Sequence, residues 1–327
     1  MAERRWRAKA FAKINLGLKI AGRRADGYHE LRTVFQTIAL ADEVAMSVGP
    51  GRGVGLEVTG LAAPGGRENL AYRAAERAAE AFGVQGRIEL RLRKRIPAEA
   101  GLGGGSSDAA AVLRMAALAA RRRPEAAAVL RLAQELGADV PAFLVGGTVL
   151  GVGRGDEVYP LPELGRWHCV VAMPRAGVGQ AIATPEAFAR WDLADRRRGG
   201  LTAADGSATL VEFCSLVCQV LPAFRLERNR GLRPETAASP RVHAGIENDF
   251  QSGVFSLSLD FPRIHQQLCR AGARWASLSG SGAAQFGLFP QAGPAQAAAR
   301  RLERQYRCWR TRFVSRRECE AAVSAVR

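Results

Sequence analysis

Alternating apolar and polar residues predict strands through the early part of the chain. The predicted strands cover residues 6–20, 33–49, 54–60 and 87–97. The last of them, RIELRLRKRIP, places Ile88, Leu90 and Leu92 on one face. A polar loop separates the first two strands, and within it Asp26 and Gly27 are a turn signal.

Helical periodicity follows each group of strands. The segment NLAYRAAERAAEAFG is predicted to start a helix at Asn69 and to end it at Gly83. Further helices are expected over residues 107–121 and 124–137, with a short helical turn at 138–144. The pattern of GTVLGVGRGDEVYPL, residues 147–161, is typical of a hairpin of two short strands.

The second half of the chain mixes shorter elements of both kinds. Strands are predicted at 167–175, on both sides of a glycine turn within 274–289, and at 308–317. Helices are predicted at 185–192, 211–224, within 248–272 and at 296–307, with polar loops at 195–207 and 228–241. Because strand runs and helix runs lack regular βαβ alternation, the fold class expected is α+β. A division near residue 160 predicts two domains, 1–160 and 161–327.

Composition places the chain among globular proteins and argues against a membrane protein. The 327 residues are 47% hydrophobic and 24% charged. No apolar run approaches the roughly 20 residues that span a bilayer. The basic N-terminus lacks a clean apolar core, so no signal peptide is predicted and a cytoplasmic location is expected. Six scattered cysteines lack metal-ligand spacing and are interpreted as buried free thiols.

The net charge of +16 raises the possibility of a nucleic-acid partner. The basic residues are four lysines and 43 arginines, spread along the chain without a charged arm. Aromatic residues make up only 7% and form no pattern suited to stacking bases. Nucleic acid and membrane are therefore not the expected partners. Three of the lysines, Lys9, Lys13 and Lys19, lie near the N-terminus. In a chain that otherwise uses arginine, a lysine indicates either a site that needs a compact ammonium or simply an exposed strand position.

A glycine-rich loop, PAEAGLGGGSS at residues 97–107, lies between a predicted strand and a predicted helix. Main-chain N–H groups in such a loop can surround a phosphate, and the positive end of the helix dipole adds to the attraction. Ser106 and Ser107 can cap the helix and reach phosphate oxygens. The loop fits neither a Walker A motif nor a dinucleotide fingerprint. A flexible structural turn is the alternative.

A second glycine loop, Ser279–Gly282, suggests another anion cradle or an ordinary hairpin turn.

The segment PAEAGLGGGSSDAAA strongly resembles the phosphate-binding motif of the GHMP kinases. Residues 12–40, the segment ELGADVPAFLVGGTVLGVGRGDEV, and SLSGSGAAQFGLF resemble further motifs of the same family. The resemblance covers most of residues 8–160 and resumes in patches at 169–188, 246–250 and 276–289. It implies a two-domain fold, with an N-terminal ribosomal-protein-S5-like domain, a C-terminal ferredoxin-like α/β-plait domain, and the active site in the cleft between them.

The resemblance also implies a reaction and its site. It predicts ATP-dependent phosphorylation of the 2-hydroxyl of a cytidine-diphosphate-linked methylerythritol, in the non-mevalonate route to isoprenoids, by a monomer or weak homodimer. Mg²⁺ is expected with the ATP, with Asp108 and Ser107 as adjacent ligand candidates only. The residues expected to bind ATP are Pro97, Gly101, Leu102, Gly103, Gly104, Gly105, Ser106, Ser107 and Asn69. Asn69 is alternatively a helix cap.

Lys13 and Asp139 are the catalytic pair that the resemblance implies. Chemistry supports it, because a carboxylate can take the proton of an alcohol and an ammonium can offset the charge that builds on oxygen. The alternative for Asp139 is a cap of the next short helix. The residues expected to bind substrate are Asn15, Tyr28, His29, Thr184, Phe188, Gly280 and Ser281. Tyr28 and His29 are expected to hold the cytosine base, although His29 could be a surface loop histidine.

Four features depart from the family pattern. The loops 193–208 and 228–243 are long, Gln285 is polar within a strand, and Gln251 stands where an acid is usual. Two other functions therefore stay open. One is another GHMP kinase with a different alcohol, such as homoserine or mevalonate, and the other is a non-catalytic basic protein that binds nucleic acid.

Overall fold

The structure, a computed structural model, describes residues 3–175, 183–197, 213 and 247–326. Within these residues two sheets and their covering helices form a mixed fold, which confirms the α+β class. The strands are β1 Arg4–Arg23, β2 His29–Gly49, β3 Val54–Gly60, β4 Arg87–Lys94, β5 Thr148–Gly153, β6 Glu157–Pro160, β7 His168–Met173, β8 Trp275–Leu278, β9 Gln285–Phe289, β10 Arg307–Arg312 and β11 Val323–Val326. The helices are α1 Leu70–Phe82, α2 Gly104–Ala119, α3 Ala126–Leu136, α4 Val140–Val145, α5 Thr184–Arg197, α6 Gln251–Phe255, α7 Asp260–Arg270, α8 Ala292–Leu302 and α9 Arg316–Ala321.

The first sheet is organised around β2. Its strands run in the order β11-β1-β2-β4-β3, and β5 pairs with both β2 and β6. The long β2 strand pairs with β5 along Leu31–Gln36 and with β4 along Glu43–Gly49. The β3–β4 pair is parallel, and the other pairs are antiparallel.

The alternation in β4 buries one face of this sheet as predicted. Ile88, Leu90 and Leu92 are fully buried in a cluster that also holds the alanine-rich faces of α1 and α2. Small alanines such as Ala74 and Ala78 let those helices approach closely, which gives dense packing without long side chains. The beginning of α2, where the glycine loop ends, is thereby fixed against the sheet.

The second sheet is antiparallel in the order β10-β7-β9-β8. Helices α7 and α8 cover one of its faces through Ile264, Leu268 and Ala298. A separate cluster joins its other residues, such as Trp275 and Phe286, to apolar residues of β1. This shared core fixes β1, which carries Lys13, against the second sheet.

Several element boundaries differ from the predictions, among them β2, which begins at His29 instead of residue 33, and α8, which covers Ala292–Leu302 instead of 296–307. Helix α2 begins at Gly104 instead of residue 107, because Gly103 takes a left-handed conformation that ends the loop earlier. Helix α5 runs past residue 192, so the predicted loop at 195 begins as helix. The last predicted strand stops at Arg312, and α9 and β11 follow it.

The end of the chain returns to its beginning. Strand β11 pairs with Arg5–Ala8 of β1, so the first sheet contains residues from both ends of the chain. The division near residue 160 stays a prediction. The predicted helix 211–224, apart from Phe213, and most of the two long loops lie outside the described residues. Cys214 and Cys218 lie outside them as well.

The four described cysteines are free thiols, as predicted, but the prediction that they are all buried is wrong. Cys169 and Cys319 are buried, whereas Cys269 and Cys308 are partly exposed. Burial raises the pKa of the Cys308 thiol to about 12. Of the helices in the described part of the chain, none is long and apolar enough to cross a membrane.

Candidate active site

A cavity of about 990 Å³ lies where the glycine loop, β1, α5 and the loop after β8 meet. Its lining includes most of the predicted site residues, namely Lys13, Asn15, Tyr28, His29, Asn69, Pro97, Gly101, Gly103, Gly104, Gly105, Ser106, Asp139, Thr184, Phe188, Gly280 and Ser281. Leu102 and Ser107 are placed differently. Leu102 packs in the core between the sheets, and the hydroxyl of Ser107 donates to the carbonyl of Phe11.

Lys13 and Asp139 face each other in this cavity. Nζ of Lys13 lies 3.3 Å from Oδ2 of Asp139. The lysine side chain is 6% exposed, whereas the aspartate is 33% exposed and opens to the cavity. Asp139 stands at the N-cap position of α4, but its side chain makes no capping hydrogen bond. The carboxylate therefore faces the cavity and does not cap α4.

A chain of hydrogen bonds fixes the position of Lys13. Its Nζ donates to Oδ1 of Asn15, 2.7 Å away, and Nδ2 of Asn15 donates to Oγ1 of Thr33. The hydroxyl of Thr33 donates to the carbonyl of Gly17. All three side chains are buried, so the ammonium is held in one place with little freedom to reorient.

The two glycine loops pack directly against each other. The hydroxyl of Ser279 donates to the carbonyl of Gly101 over 2.9 Å, and the amide of Ala284 donates to the carbonyl of Ala100. A Cβ on Gly101 would overlap the carbonyl of Ser279, and a Cβ on Gly282 would overlap the backbone at Ala100. Gly101 and Gly282 thus permit contact between the two loops, a role that differs from both anion binding and the simple turns considered from the sequence.

The other glycines form the start of α2. Gly103 caps the helix in a left-handed conformation, with φ 68°, and no serine side chain caps it. The prediction that Ser106 and Ser107 cap the helix is therefore wrong, since the helix starts before them. Open space surrounds the position that a Cβ on Gly105 would take. The first-turn amides of a helix have no acceptor within it, so those of Gly104, Gly105 and Ser106 suit an anion.

A buried ion cluster lies behind the glycine loop. Nζ of Lys94 contacts carboxylates of both Asp42 and Asp108, the latter at 2.6 Å. The other oxygen of Asp42 accepts from the amides of Arg95 and Ile96, which lead into the loop. Burial raises the pKa of Asp108 to about 8, aided by Asp42 and opposed by Lys94. The cluster ties β2, β4 and α2 together under the loop, and sequence reasoning did not find it.

His29 is not a surface histidine. It is 9% exposed, its ring stacks on Phe188 with centroids 4.4 Å apart, and Trp191 meets it edge-on. Nε2 lies 2.7 Å from Oδ1 of Asp192. Neighbouring Tyr28 lines the cavity and is 56% exposed. The guanidinium of Arg154 lies over the Tyr28 ring, 5.0 Å from the ring centroid. Sequence reasoning found Tyr28, His29 and Phe188, but it did not find Asp192, Trp191 or Arg154.

Thr184 and Ser281 meet at the cavity, although 97 positions of the chain separate them. Their hydroxyl oxygens are 3.1 Å apart. Asn248 fixes the loop that carries Ser281, because its Nδ2 donates to the carbonyls of Leu278 and Gly280. Asn248 is buried, and its Oδ1 accepts from the amide of Phe250. It lies in the patch 246–250 that resembles the family, although sequence reasoning assigned it no role.

Asn69 has the capping role that the sequence analysis left open. Its Oδ1 accepts from the amide of Ala71, and its Nδ2 donates to the carbonyl of Pro64. It also lines the cavity, so capping and ligand contact are compatible. Its expected contact with ATP stays a prediction.

The two glutamines that depart from the family pattern have structural partners. Nε2 of buried Gln285 donates to the carbonyl of Phe261. Oε1 of Gln251 accepts from the amide of Leu278 and the hydroxyl of Ser277. Gln285 therefore secures β9 to α7, and Gln251 secures β8 to α6.

A larger groove, of about 1640 Å³, lies elsewhere, between the outer face of the first sheet and β10. Its walls carry arginines, and Arg91, Arg95 and Arg312 form ion pairs with glutamates of the same groove. Its lining contains none of the predicted site residues. The smaller cavity, where charge, glycine loops and aromatic rings converge, is therefore the candidate active site.

Comparison with known proteins identifies the family of the chain. The family profile described as "GHMP kinases N terminal domain" matches residues 69–147, and "GHMP kinases C terminal" matches residues 237–308. A 4-diphosphocytidyl-2-C-methyl-D-erythritol kinase of Solibacter usitatus is 41% identical over 281 residues, covering 86% of this chain and 80% of that protein.

Solved structures show the same fold. A 4-(cytidine 5'-diphospho)-2C-methyl-D-erythritol kinase has a TM-score of 0.73 at 32% identity, covering 94% of this chain and 98% of that one. The homoserine kinase of Cytophaga hutchinsonii has a TM-score of 0.69 at 18% identity, covering 100% and 98%, which shows a shared fold alone. The predicted two-domain GHMP kinase fold is thus confirmed. The chain belongs to the GHMP kinases, a family of ATP-dependent kinases.

Proposed function

We propose that the chain transfers the γ-phosphoryl group of ATP to the 2-hydroxyl of 4-diphosphocytidyl-2-C-methyl-D-erythritol, a step of the non-mevalonate route to isoprenoids. The observation that carries this proposal is the Lys13–Asp139 pair, 3.3 Å apart, between a glycine loop and an aromatic pocket. Relatives that bear this substrate in their names support the choice of alcohol.

Asp139 takes the role of base in this mechanism. Its partly exposed carboxylate accepts the proton of the substrate hydroxyl as the oxygen attacks phosphorus and ADP leaves. Lys13 cannot swing away, because Asn15 and Thr33 hold it. Its ammonium offsets the negative charge that develops around the attacking oxygen.

The start of α2 holds the phosphate chain. The amides of Gly104, Gly105 and Ser106 have no partner within the helix, and the helix dipole favours an anion there. The space beside Gly105 is open toward the cavity. These groups position the phosphates and compensate their charge, and they move no proton.

Mg²⁺ supplies further charge compensation when it accompanies ATP. Of the two adjacent candidates, Ser107 fits the ion poorly, because its hydroxyl donates to the carbonyl of Phe11. Asp108 binds Lys94 through Oδ2, but its Oδ1 has no hydrogen-bond partner in the described part of the chain, and the residue lines the cavity. Among the described residues no group of three or more acidic, histidine or cysteine side chains is arranged to hold a metal. Asp108 is therefore the one of the two candidates that could reach an ion bound to the phosphates.

Tyr28, His29 and Phe188 form the base end of the cavity. Tyr28 offers an exposed ring for stacking, and its contact with Arg154 limits the motion of that ring. His29 and Phe188 stack on each other, so together they form a wall of the pocket. Such a wall can contact the base of a substrate that carries one, whereas homoserine and mevalonate have no base for it to contact.

ADP release is the test of this function. Purified protein is supplied with ATP, Mg²⁺ and, in separate reactions, the cytidine-diphosphate-linked methylerythritol, homoserine or mevalonate. We expect turnover of the first alone. Turnover of homoserine or mevalonate, with the first left untouched by folded protein, would sink the proposal. Salt-sensitive binding of RNA or DNA without any ADP release would favour the non-catalytic alternative.

Location and assembly belong to the same proposal. A route built from small soluble metabolites suits the cytoplasm, and the four described cysteines are free thiols, as a reducing compartment favours. All groups of the proposed mechanism come from one chain, so a monomer or weak homodimer is sufficient.

A further inference from the structure

Asp192 makes a contact that joins distant parts of the chain at the base end of the cavity. Its Oδ1 lies 2.7 Å from Nε2 of His29, which is 163 positions earlier. Both residues line the cavity, with side-chain exposures of 25% for Asp192 and 8% for His29. The contact therefore lies at the wall of the site and is largely shielded from solvent.

One turn of α5 carries two groups that act on the same imidazole. Phe188 and Asp192 are four residues apart and share a face of the helix. Phe188 stacks on the ring at an interplanar angle of 14°, while Asp192 binds its edge. Trp191 adds an edge-on contact at 5.7 Å. The ring is thus fixed in plane and in rotation by α5.

We propose that Asp192 is a positioning residue that sets the proton arrangement of His29 for base recognition. A carboxylate can only accept a hydrogen bond, so the proton of the imidazole is placed on Nε2. In the neutral ring Nδ1 is then an acceptor. An acceptor at the base end matches a base that offers an amino group.

This inference rests on the proposed function and adds to it a basis for base choice. Cytosine carries an amino donor at the position where uracil carries a carbonyl acceptor. An Nδ1 acceptor attracts the amino group and repels the carbonyl. Without Asp192 the ring can place its proton on either nitrogen and rotate, so the preference between the two bases weakens.

A purely structural role for Asp192 predicts different kinetics. If the residue only anchored α5, its loss would disturb Thr184 and the whole cavity, lowering kcat and raising the KM for ATP together. A positioning role affects the base end alone. Asp192→Asn distinguishes loss of the hydrogen bond from loss of the charge, because the amide oxygen of asparagine can still accept from Nε2 of His29.

The experiment measures kcat/KM for the cytidine substrate and for its uridine counterpart. For D192A we expect the ratio between them to fall about tenfold, as for loss of a hydrogen bond to the ligand. The kcat and the KM for ATP should change less than about twofold, and D192N should retain most of the preference. The control is E186Q on the same helix, whose carboxylate pairs with exposed Arg190 and should match the unaltered protein.

Nitrogen NMR of His29 gives a readout that is independent of turnover. We expect the proton on Nε2 in the unaltered protein and in D192N, and a mixture of tautomers in D192A. An unchanged base preference in D192A, a parallel loss of kcat and ATP affinity, or a proton on Nδ1 in the unaltered protein would each overturn the inference. If no cytidine substrate is turned over, the proposed function fails, and the NMR result still decides whether Asp192 sets the tautomer.

Discussion

Ser279 donates its hydroxyl to the carbonyl of Gly101 over 2.9 Å, and this bond ties one glycine loop to the other. The loops come from opposite halves of the chain, 178 positions apart. Their glycines consequently have two different uses. Some permit backbone contact between the loops, and others leave the start of α2 open to a ligand.

Substitution of two glycines by alanine separates these uses. In Gly101→Ala the new Cβ would overlap the carbonyl of Ser279 at a backbone φ of 78°, so we expect a loss of about 2–4 kcal/mol in the free energy of unfolding. In Gly105→Ala the Cβ enters open space within a helix, so stability should rise by about 0.5–1 kcal/mol.

The matched measurements are urea unfolding and the KM for ATP. G105A should raise the KM for ATP about tenfold or more, because a methyl group then stands where the phosphates approach. A stable G105A protein with unchanged KM would show that the phosphates bind elsewhere. A G101A protein as stable as the original would contradict the tight contact between the loops.

The fold was largely predictable because its periodic signals are strong. The alternation of Ile88, Leu90 and Leu92 gave both β4 and its buried face. The end of the chain was missed because β11 has only four residues and its partner lies at the opposite terminus. A signal for α9 was present, since Ser315 and Glu318 form a capping box.

The site was predictable only where residue type and local motif suffice. Lys13 and Asp139 came from family resemblance, and the structure brings them within 3.3 Å. Asp192 could not be predicted, because only the packing of α5 places it against His29. The same reason applies to the Lys94 cluster, whose members come from three separate elements.

Asp139→Ala should abolish most turnover, while ATP should still bind. Removing a base costs about 10²–10⁴ in kcat. The change also leaves the buried ammonium of Lys13 without its carboxylate, so we expect a loss of stability that comes from this ion pair and not from a helix cap. The double variant K13M/D139A removes that ammonium and should recover part of the loss. The control is Asn69→Ala, which removes a true cap and should cost about 1 kcal/mol with no such recovery on K13M. Full activity in D139A would instead favour the capping role.

Lys94→Met tests the buried cluster beneath the glycine loop. Lys94 contacts two carboxylates that are almost fully buried, so its removal leaves both without a cation. We expect a loss of about 3–5 kcal/mol in the free energy of unfolding. The double variant K94M/D108N replaces one of the two buried carboxyl groups by a neutral amide and should recover at least about 1 kcal/mol of it. Additive losses in the double variant would show that Lys94 and Asp108 are not coupled.

Glu318 gives a pH dependence whose sign follows from its partners. Arg312 and the amide of Ser315 hold the pKa of Glu318 at about 2, below its ordinary value. A lowered folded-state pKa contributes stability above the ordinary value, near 4.5, and that contribution disappears as the pH falls toward 2. Because the side chain is 44% exposed, solvent screening limits the contribution to about 1 kcal/mol at neutral pH.

In urea unfolding, E318Q should therefore be less stable than the unaltered protein at pH 7, and the difference should shrink steadily from pH 5 to pH 3. The control E320Q, an exposed carboxylate on the same helix, should show no comparable trend. A difference between E318Q and the unaltered protein that stays constant with pH would contradict the role of the capping box.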